Sequence, residues 1–168
     1  LINCPFGAIA DKSQIFQVIQ AINAGDEVIA EVAPAFVGQF GGKGNVDKLR
    51  QAFSVLGFSG MEEVALGADL CTVQEAEDFL EEVPDKYPFM GTSCCPAWSV
   101  MAKKEFPDHA DCISMALTPM TLTARLIRKQ HPNAKIVFVG PCSAKKLEAM
   151  RRSVRSEVDF VLTFEEMM

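Results

Sequence analysis

Apolar residues at Ile15, Phe16, Val18, Ile19 and Ile22 recur at the spacing of one helix face. Asp11 or Ser13 stands where an N-cap belongs, and Gly25 where such a helix stops. Glu27 to Val32 is a short apolar run ended by Pro34, the pattern of a buried strand. A glycine-rich loop over 38–44 leads to a second helix, Val46 to Leu56, closed by Gly57. Val64 to Leu66 reads as a short strand. Leu70 to Glu82 reads as a helix whose apolar residues are Leu70, Val73, Phe79 and Leu80. Phe89 to Thr92 is a brief strand, and Pro96 suits the first turn of a following helix. Thr118-Pro119 opens another, with Met120, Leu122, Leu126 and Ile127 on its buried side and His131-Pro132-Asn133 at its end. Lys135 to Val139 is the clearest strand. A helix over Ala144 to Arg152, a strand over Val158 to Leu162 and a helix capped by Thr163 complete the pattern. Strands alternate with helices, which predicts an α/β fold: a mostly parallel sheet flanked by helices, with sites at the carboxyl ends of strands.

Composition narrows the classes. The chain has 168 residues, enough for one domain with its own core. A net charge of −6 gives no basic footprint for nucleic acid or an anionic membrane. Runs such as Ile136 to Val139 are far too short to cross a bilayer. The opening Leu1-Ile2-Asn3 has no initiator Met and no signal-peptide character, so the chain reads as a piece cut from a longer polypeptide, cytoplasmic by default. Six cysteines stand at 4, 71, 94, 95, 112 and 142. A domain this size folds without disulfide staples, so free, metal-bound or catalytic thiols are expected.

Two stretches carry chemistry. In Thr92-Ser93-Cys94-Cys95-Pro96-Ala97-Trp98, adjacent side chains point apart. One thiol can ligate a metal while the other does something else. A thiol just before a helix N-terminus also has its pKa lowered by the helix dipole. The dipeptide alone is equally two small buried residues at a turn. In Gly140-Pro141-Cys142-Ser143-Ala144-Lys145-Lys146-Leu147-Glu148, a strand delivers Cys142 to a turn and Lys145 follows one helical turn later. An ammonium beside a thiolate suits an anionic cluster. A buried cysteine followed by a solvated Lys-Lys-Leu-Glu face accounts for that stretch as well. Cys71 and Cys112 read as core or near-surface thiols, Trp98 as a packing anchor, and His109 and His131 have no ligand spacing.

Taken together, these motifs resemble the catalytic domain of iron-only (FeFe) hydrogenases. The family's Thr-Ser-Cys-Cys-Pro-x-Trp is matched at 92–98 and its Met-Pro-Cys-x-x-Lys-x-x-Glu at 140–148, with Gly140 for Met. Cys4-Pro5-Phe6-Gly7-Ala8-Ile9 resembles the tail of a ferredoxin-type module, and Ala33-Pro34-Ala35 the loop near the active-site iron pair. The resemblance implies residues 1–10 as the end of that module and 11–168 as the N-terminal lobe of the catalytic domain. It implies Cys95 and Cys142 as ligands of the 4Fe–4S cubane of the H-cluster, whose di-iron unit carries CO and CN, and Cys4 as a ligand of a separate cluster. It implies Cys94 as the proton-shuttling thiol and Lys145 as the partner of a cyanide. Ala33, Pro34 and Ser93 would line the pocket. A proton path would run through Glu75, Ser114 and Asp78; the two acids are three apart on one helix and can share a face. Ferredoxin or another redox carrier would be the partner.

The family's third motif, Glu-x-Met-x-Cys-x-x-Gly-Cys, is absent from these residues. Gly140 and Met120, the latter where many members have Gln, also depart from the pattern. The expectation is therefore a fragment of a hydrogenase, without an H-cluster or activity of its own. An iron–sulfur assembly protein of the same fold, which shares the pattern at 141–149, and a hydrogen-sensing homologue are the alternatives.

Overall fold

The computed structural model describes residues 4–41, 45–151 and 154–168. Part of the glycine-rich loop, the first three residues and Arg152 lie outside the described residues. Strands β1 (Val28–Val32), β2 (Gly60–Glu63), β3 (Lys135–Gly140) and β4 (Phe160–Thr163) form one sheet in the order β2-β1-β3-β4. Every pairing is parallel. Helices α1 (Ile15–Ala24), α2 (Val46–Val55), α3 (Val64–Glu82), α4 (Pro96–Glu105), α5 (Pro119–Gln130), α6 (Ala144–Met150) and α7 (Phe164–Met167) connect and flank it.

The central strands are buried on both faces, which is why they read as continuous apolar runs. On one face Val28, Ala30 and Val32 pack with Val18 and Ala21 of α1 and Phe53 of α2. On the other, Ile29 and Ile136 pack with Ala124 and Ile127 of α5. Local chemistry sets several ends. Gly25 takes φ 83° at the end of α1, and Asn45 and Thr118 cap α2 and α5. Thr163 and Glu166 form a capping box on α7.

Several expectations are corrected. Val64 to Leu66 is the first turn of α3, not a strand; β2 ends one residue earlier. Leu70, Val73, Phe79 and Leu80 are all exposed, and α3 instead buries Val64, Gly67 and Cys71. Phe89 to Thr92 contributes only an isolated bridge between Gly91 and Ile113. The N-cap position of α1 is Gln14, with Ser13 Oγ accepting from the Ile15 amide at 3.3 Å. Phe16 and Ile19 face outward.

At Gly67, α3 packs directly against the start of α5. A Cβ there would lie 2.2 Å from Thr123 Oγ1 and 2.8 Å from the Pro119 carbonyl. Backbone cannot retreat as a side chain can. Gly67→Ala is therefore expected to destabilise the fold by about 1–3 kcal/mol, despite alanine's better helix propensity. Urea denaturation of the two proteins measures the difference.

Candidate functional site

The carboxyl ends of β1 and β3 meet where Ala33 donates its amide to the Val139 carbonyl at 2.9 Å. Ala33 is buried there, and Pro34 beyond it is exposed. A Cβ on Gly140 would lie 2.5 Å from the Phe138 ring and 3.3 Å from the Ala33 Cβ. The Phe138 ring thus fills the space beside Gly140, where the family pattern carries a methionine.

Cys94 and Cys95 sit just before α4 and Cys142 just before α6; all three are exposed free thiols. Cys95 is the N-cap of α4, its Sγ accepting the Trp98 amide at 3.4 Å. Trp98 is 42% exposed, so it is no packing anchor; its indole N–H instead donates to the Thr92 carbonyl at 3.2 Å and closes the loop over the cysteine pair. Thr92 Oγ1 and Cys94 Sγ are 4.0 Å apart.

Lys145 joins the two cysteine loops. Its Nζ donates to the Cys94 carbonyl at 2.8 Å, and its backbone amide donates to the Cys142 carbonyl at 3.2 Å. The same ammonium pairs with Glu148 Oε2 at 2.7 Å, and the Thr118 hydroxyl donates to Glu148 Oε1. Glu148 is buried and Lys145 largely so. The solvated Lys-Lys-Leu-Glu face is thus corrected: only Leu147 lies open to solvent. Lys146 is buried too, bonded to Asp11 at 2.8 Å, the Lys12 carbonyl at 3.0 Å and Glu166 at 3.0 Å. Burial works against its charge, yet Asp11 and Glu166 outweigh it and hold the ammonium above its ordinary pKa.

Ser93 lies beside these loops, its hydroxyl 3.5 Å from the Ala116 carbonyl. It lines a cavity of about 490 Å³ with Pro96, Ser114, Thr118 and Glu148. Ser114 also lines a second cavity that Asp78 borders. Glu75 and Cys94 both act electrostatically on Cys71, whose thiol donates to the Leu117 carbonyl at 2.9 Å. Burial, then Glu75 and Cys94, raises the Cys71 thiol above its ordinary pKa. Among the described residues no direct hydrogen bond joins Glu75, Ser114, Asp78 and Cys94. Asp78 instead accepts from Gln74 at 2.9 Å. The fold gathers these groups into one region without linking them.

Cys4 stands apart, in a turn whose backbone amides, Phe6 and Ala8 foremost, lower its thiol's pKa. Such amide donors suit a thiolate that holds a cluster. Glu31, in the middle of β1, has no solvent exposure and no hydrogen-bond partner on either oxygen. Sequence reasoning passed over it; a lone carboxyl inside an apolar run was the available signal.

Lys145 ties the backbone of the Cys94 loop to the helix start that follows Cys142, and the exposed thiols on these two segments fit part of a cubane site. Among the described residues, no group of three or more His, Cys, Asp or Glu is gathered for a metal ion. No helix among the described residues is long and apolar enough to cross a membrane. Fold and thiols together define a parallel α/β protein with exposed free cysteines just before two of its helices. Residues 26–168 match the family model described as "Iron only hydrogenase large subunit, C-terminal domain", and the chain belongs to this family. Iron hydrogenase 1 of Clostridium pasteurianum is 31% identical over 97% of the chain and 32% of its own length. The NADP-reducing hydrogenase subunit HndD of Solidesulfovibrio fructosivorans is 30% identical over 98% and 33%. A cytosolic Fe-S cluster assembly factor of Debaryomyces hansenii is 30% identical over 67% and 24%. The chain therefore spans about a third of the length of the hydrogenases it matches.

Removing the ammonium would leave Glu148 buried and unpaired and free the Cys94 carbonyl. Lys145→Met is expected to cost about 3 kcal/mol of stability. Lys86→Met, at the exposed pair with Glu82, is expected to cost far less. Chemical denaturation of both variants makes the comparison.

Proposed function

We propose that this chain is the part of an iron-only hydrogenase catalytic domain that supplies half the cubane's thiolates and the proton-handling groups. The parent protein would then interconvert protons and hydrogen. The Lys145 junction carries this reading, because its ammonium holds the Cys94 carbonyl while its backbone amide holds the Cys142 carbonyl, and so one residue joins the two cysteine loops.

Cys95 and Cys142 would hold the 4Fe–4S cluster together with two thiolates from outside these residues. That cluster and its attached di-iron unit supply the redox chemistry at hydrogen. Cys94 Sγ, free of ligation, holds and releases the proton. Glu75, Ser114 and Asp78 exchange it with solvent, a chain of carboxyl and hydroxyl groups suited to stepwise transfer. Lys145 would offer its ammonium to an anionic ligand of the di-iron unit, while Ala33, Pro34 and Ser93 would shape the pocket and limit water. Cys4 serves a separate cluster in a ferredoxin-type module ending near residue 10, and residues 11–168 form the N-terminal lobe. Ferredoxin or a similar carrier exchanges electrons, in the cytoplasm. These residues alone, with two of four thiolates, do not turn over.

The second reading is a non-enzymatic role in iron–sulfur assembly, supported by the match to an assembly factor and by the pattern at 141–149. Cys94 separates them, since only hydrogen chemistry needs a free thiol at that place. In the parent protein, Cys94→Ser is expected to keep its iron and lose nearly all hydrogen evolution from reduced methyl viologen, because a serine hydroxyl, with its far higher pKa, passes a proton between neighbours but does not ionise near neutral pH as a thiol can. Cys95→Ser is expected to lose iron as well. Full turnover in Cys94→Ser would end the relay role. A parent protein loaded with iron yet inert toward hydrogen would favour assembly.

A further inference from the structure

The cavity that Ser93 borders carries a set of cations that the proposed chemistry leaves unused. Lys103 and Lys104 line it from α4, Arg125 from α5, and Arg151 from the segment after α6. Among the described residues none of these four is paired with a carboxylate. The one carboxylate on the lining is Glu148, and it is already committed, to the Lys145 ammonium through one oxygen and to the Thr118 hydroxyl through the other. A chain of net charge −6 thus gathers four uncommitted cations around one space of about 490 Å³.

Other contacts leave these groups open to a ligand. Arg125 uses Nη2 on the Val154 and Arg155 carbonyls, at 2.8 and 3.4 Å, and keeps Nη1 and Nε unbonded. Lys103 Nζ lies 3.7 Å from Met115 Sδ, a weak acceptor. Lys104 and Arg151 are exposed. The hydroxyls of Ser93 and Ser99 donate to the Ala116 and Pro96 carbonyls, so the cations supply most of the free donors. The rest of the lining is largely apolar, with Val100, Ile113 and Leu117 among its residues.

Cations that share one cleft repel each other, and walls of low dielectric concentrate their field. An anion placed among them relieves both. A carboxylate brings one charge. A phosphoryl group brings nearly two with three acceptor oxygens, and an Arg guanidinium takes it through two bonds. The volume is that of a site for a small organic molecule, and the apolar lining suits a ligand with a hydrocarbon body. We propose that this cavity is a binding site for a phosphate monoester, its phosphoryl group among Lys103, Lys104, Arg125 and Arg151 and its apolar body against Val100, Ile113 and Leu117. The site is independent of hydrogen chemistry and needs no iron.

Isothermal titration of the 168-residue chain with phenyl phosphate, benzoate and inorganic phosphate tests the assignment. Phenyl phosphate is expected to bind at one site and more tightly than either of the others, since benzoate lacks the second charge and inorganic phosphate the apolar body. The double variant Lys104→Gln/Arg151→Gln removes two exposed cations and is expected to weaken phenyl phosphate about tenfold. Lys86→Gln/Lys129→Gln, which removes the same net charge away from the cavity, is expected to leave the affinity unchanged. The methyl resonance of Met115 is expected to shift on binding, which locates the ligand. No saturable binding of phenyl phosphate would overturn the proposal. So would equal affinity for benzoate or for inorganic phosphate, equal weakening in the two double variants, or a Met115 methyl that does not respond.

Discussion

The ammonium of Lys145 answers to two demands that arise far apart in the chain. Glu148, buried against Thr118, must have a cation, because a carboxylate removed from water without one is among the costliest groups a protein can hold. The Cys94 carbonyl, in a loop with little regular structure around it, needs a donor. One side chain meets both. The loop that presents Cys94 and Cys95 is thereby held to α6, and so beside the turn of Cys142, by an electrostatic requirement of the interior. Tight coordination geometry needs such fixed supports around its ligands.

Adjacent lysines divide the work of α6. Lys145 reaches toward the cysteine loops, while Lys146 gathers Asp11, the Lys12 carbonyl and Glu166. The segment before α1 and the last helix are therefore tied to the same short helix. Glu166 in turn completes the cap of α7 through the Thr163 amide. A seven-residue helix with modest intrinsic stability is held by long-range charge pairs on two sides.

The sheet was legible because its central strands are apolar on both faces and are bounded by proline or glycine. The cysteine loops fell at strand ends or helix starts, as the α/β pattern requires. The beginning of α3 was not legible. Val64-Ala65-Leu66 has strand-like residues, Glu63 offers no side-chain cap, and Gly67 argues against a helix on propensity alone. Gly67 is there because α5 passes too close for any side chain. The burial of Lys146 and Glu148 was also hidden, since their partners lie 135 and 30 residues away in sequence. Local patterning reports on neighbours along the chain. It is silent on charges paired across it, and the site depends most on those.

The strand order has a consequence for how the chain acquires its shape. β1 lies beside β3, and roughly 100 residues separate them. At ribosomal rates of about 5–20 residues per second, β1 waits on the order of 5–20 s for its inner neighbour to emerge. Until then only β2, at the edge, can pair with it, and the Ala33 amide has no Val139 carbonyl to meet. Parallel pairings of this separation form late and slowly. Cys94 and Cys95, just before α4, are thus synthesised and exposed before β3 completes the framework, while Cys142 follows β3 directly. Loading of metal during synthesis would meet loose thiols, and loading afterward a set scaffold.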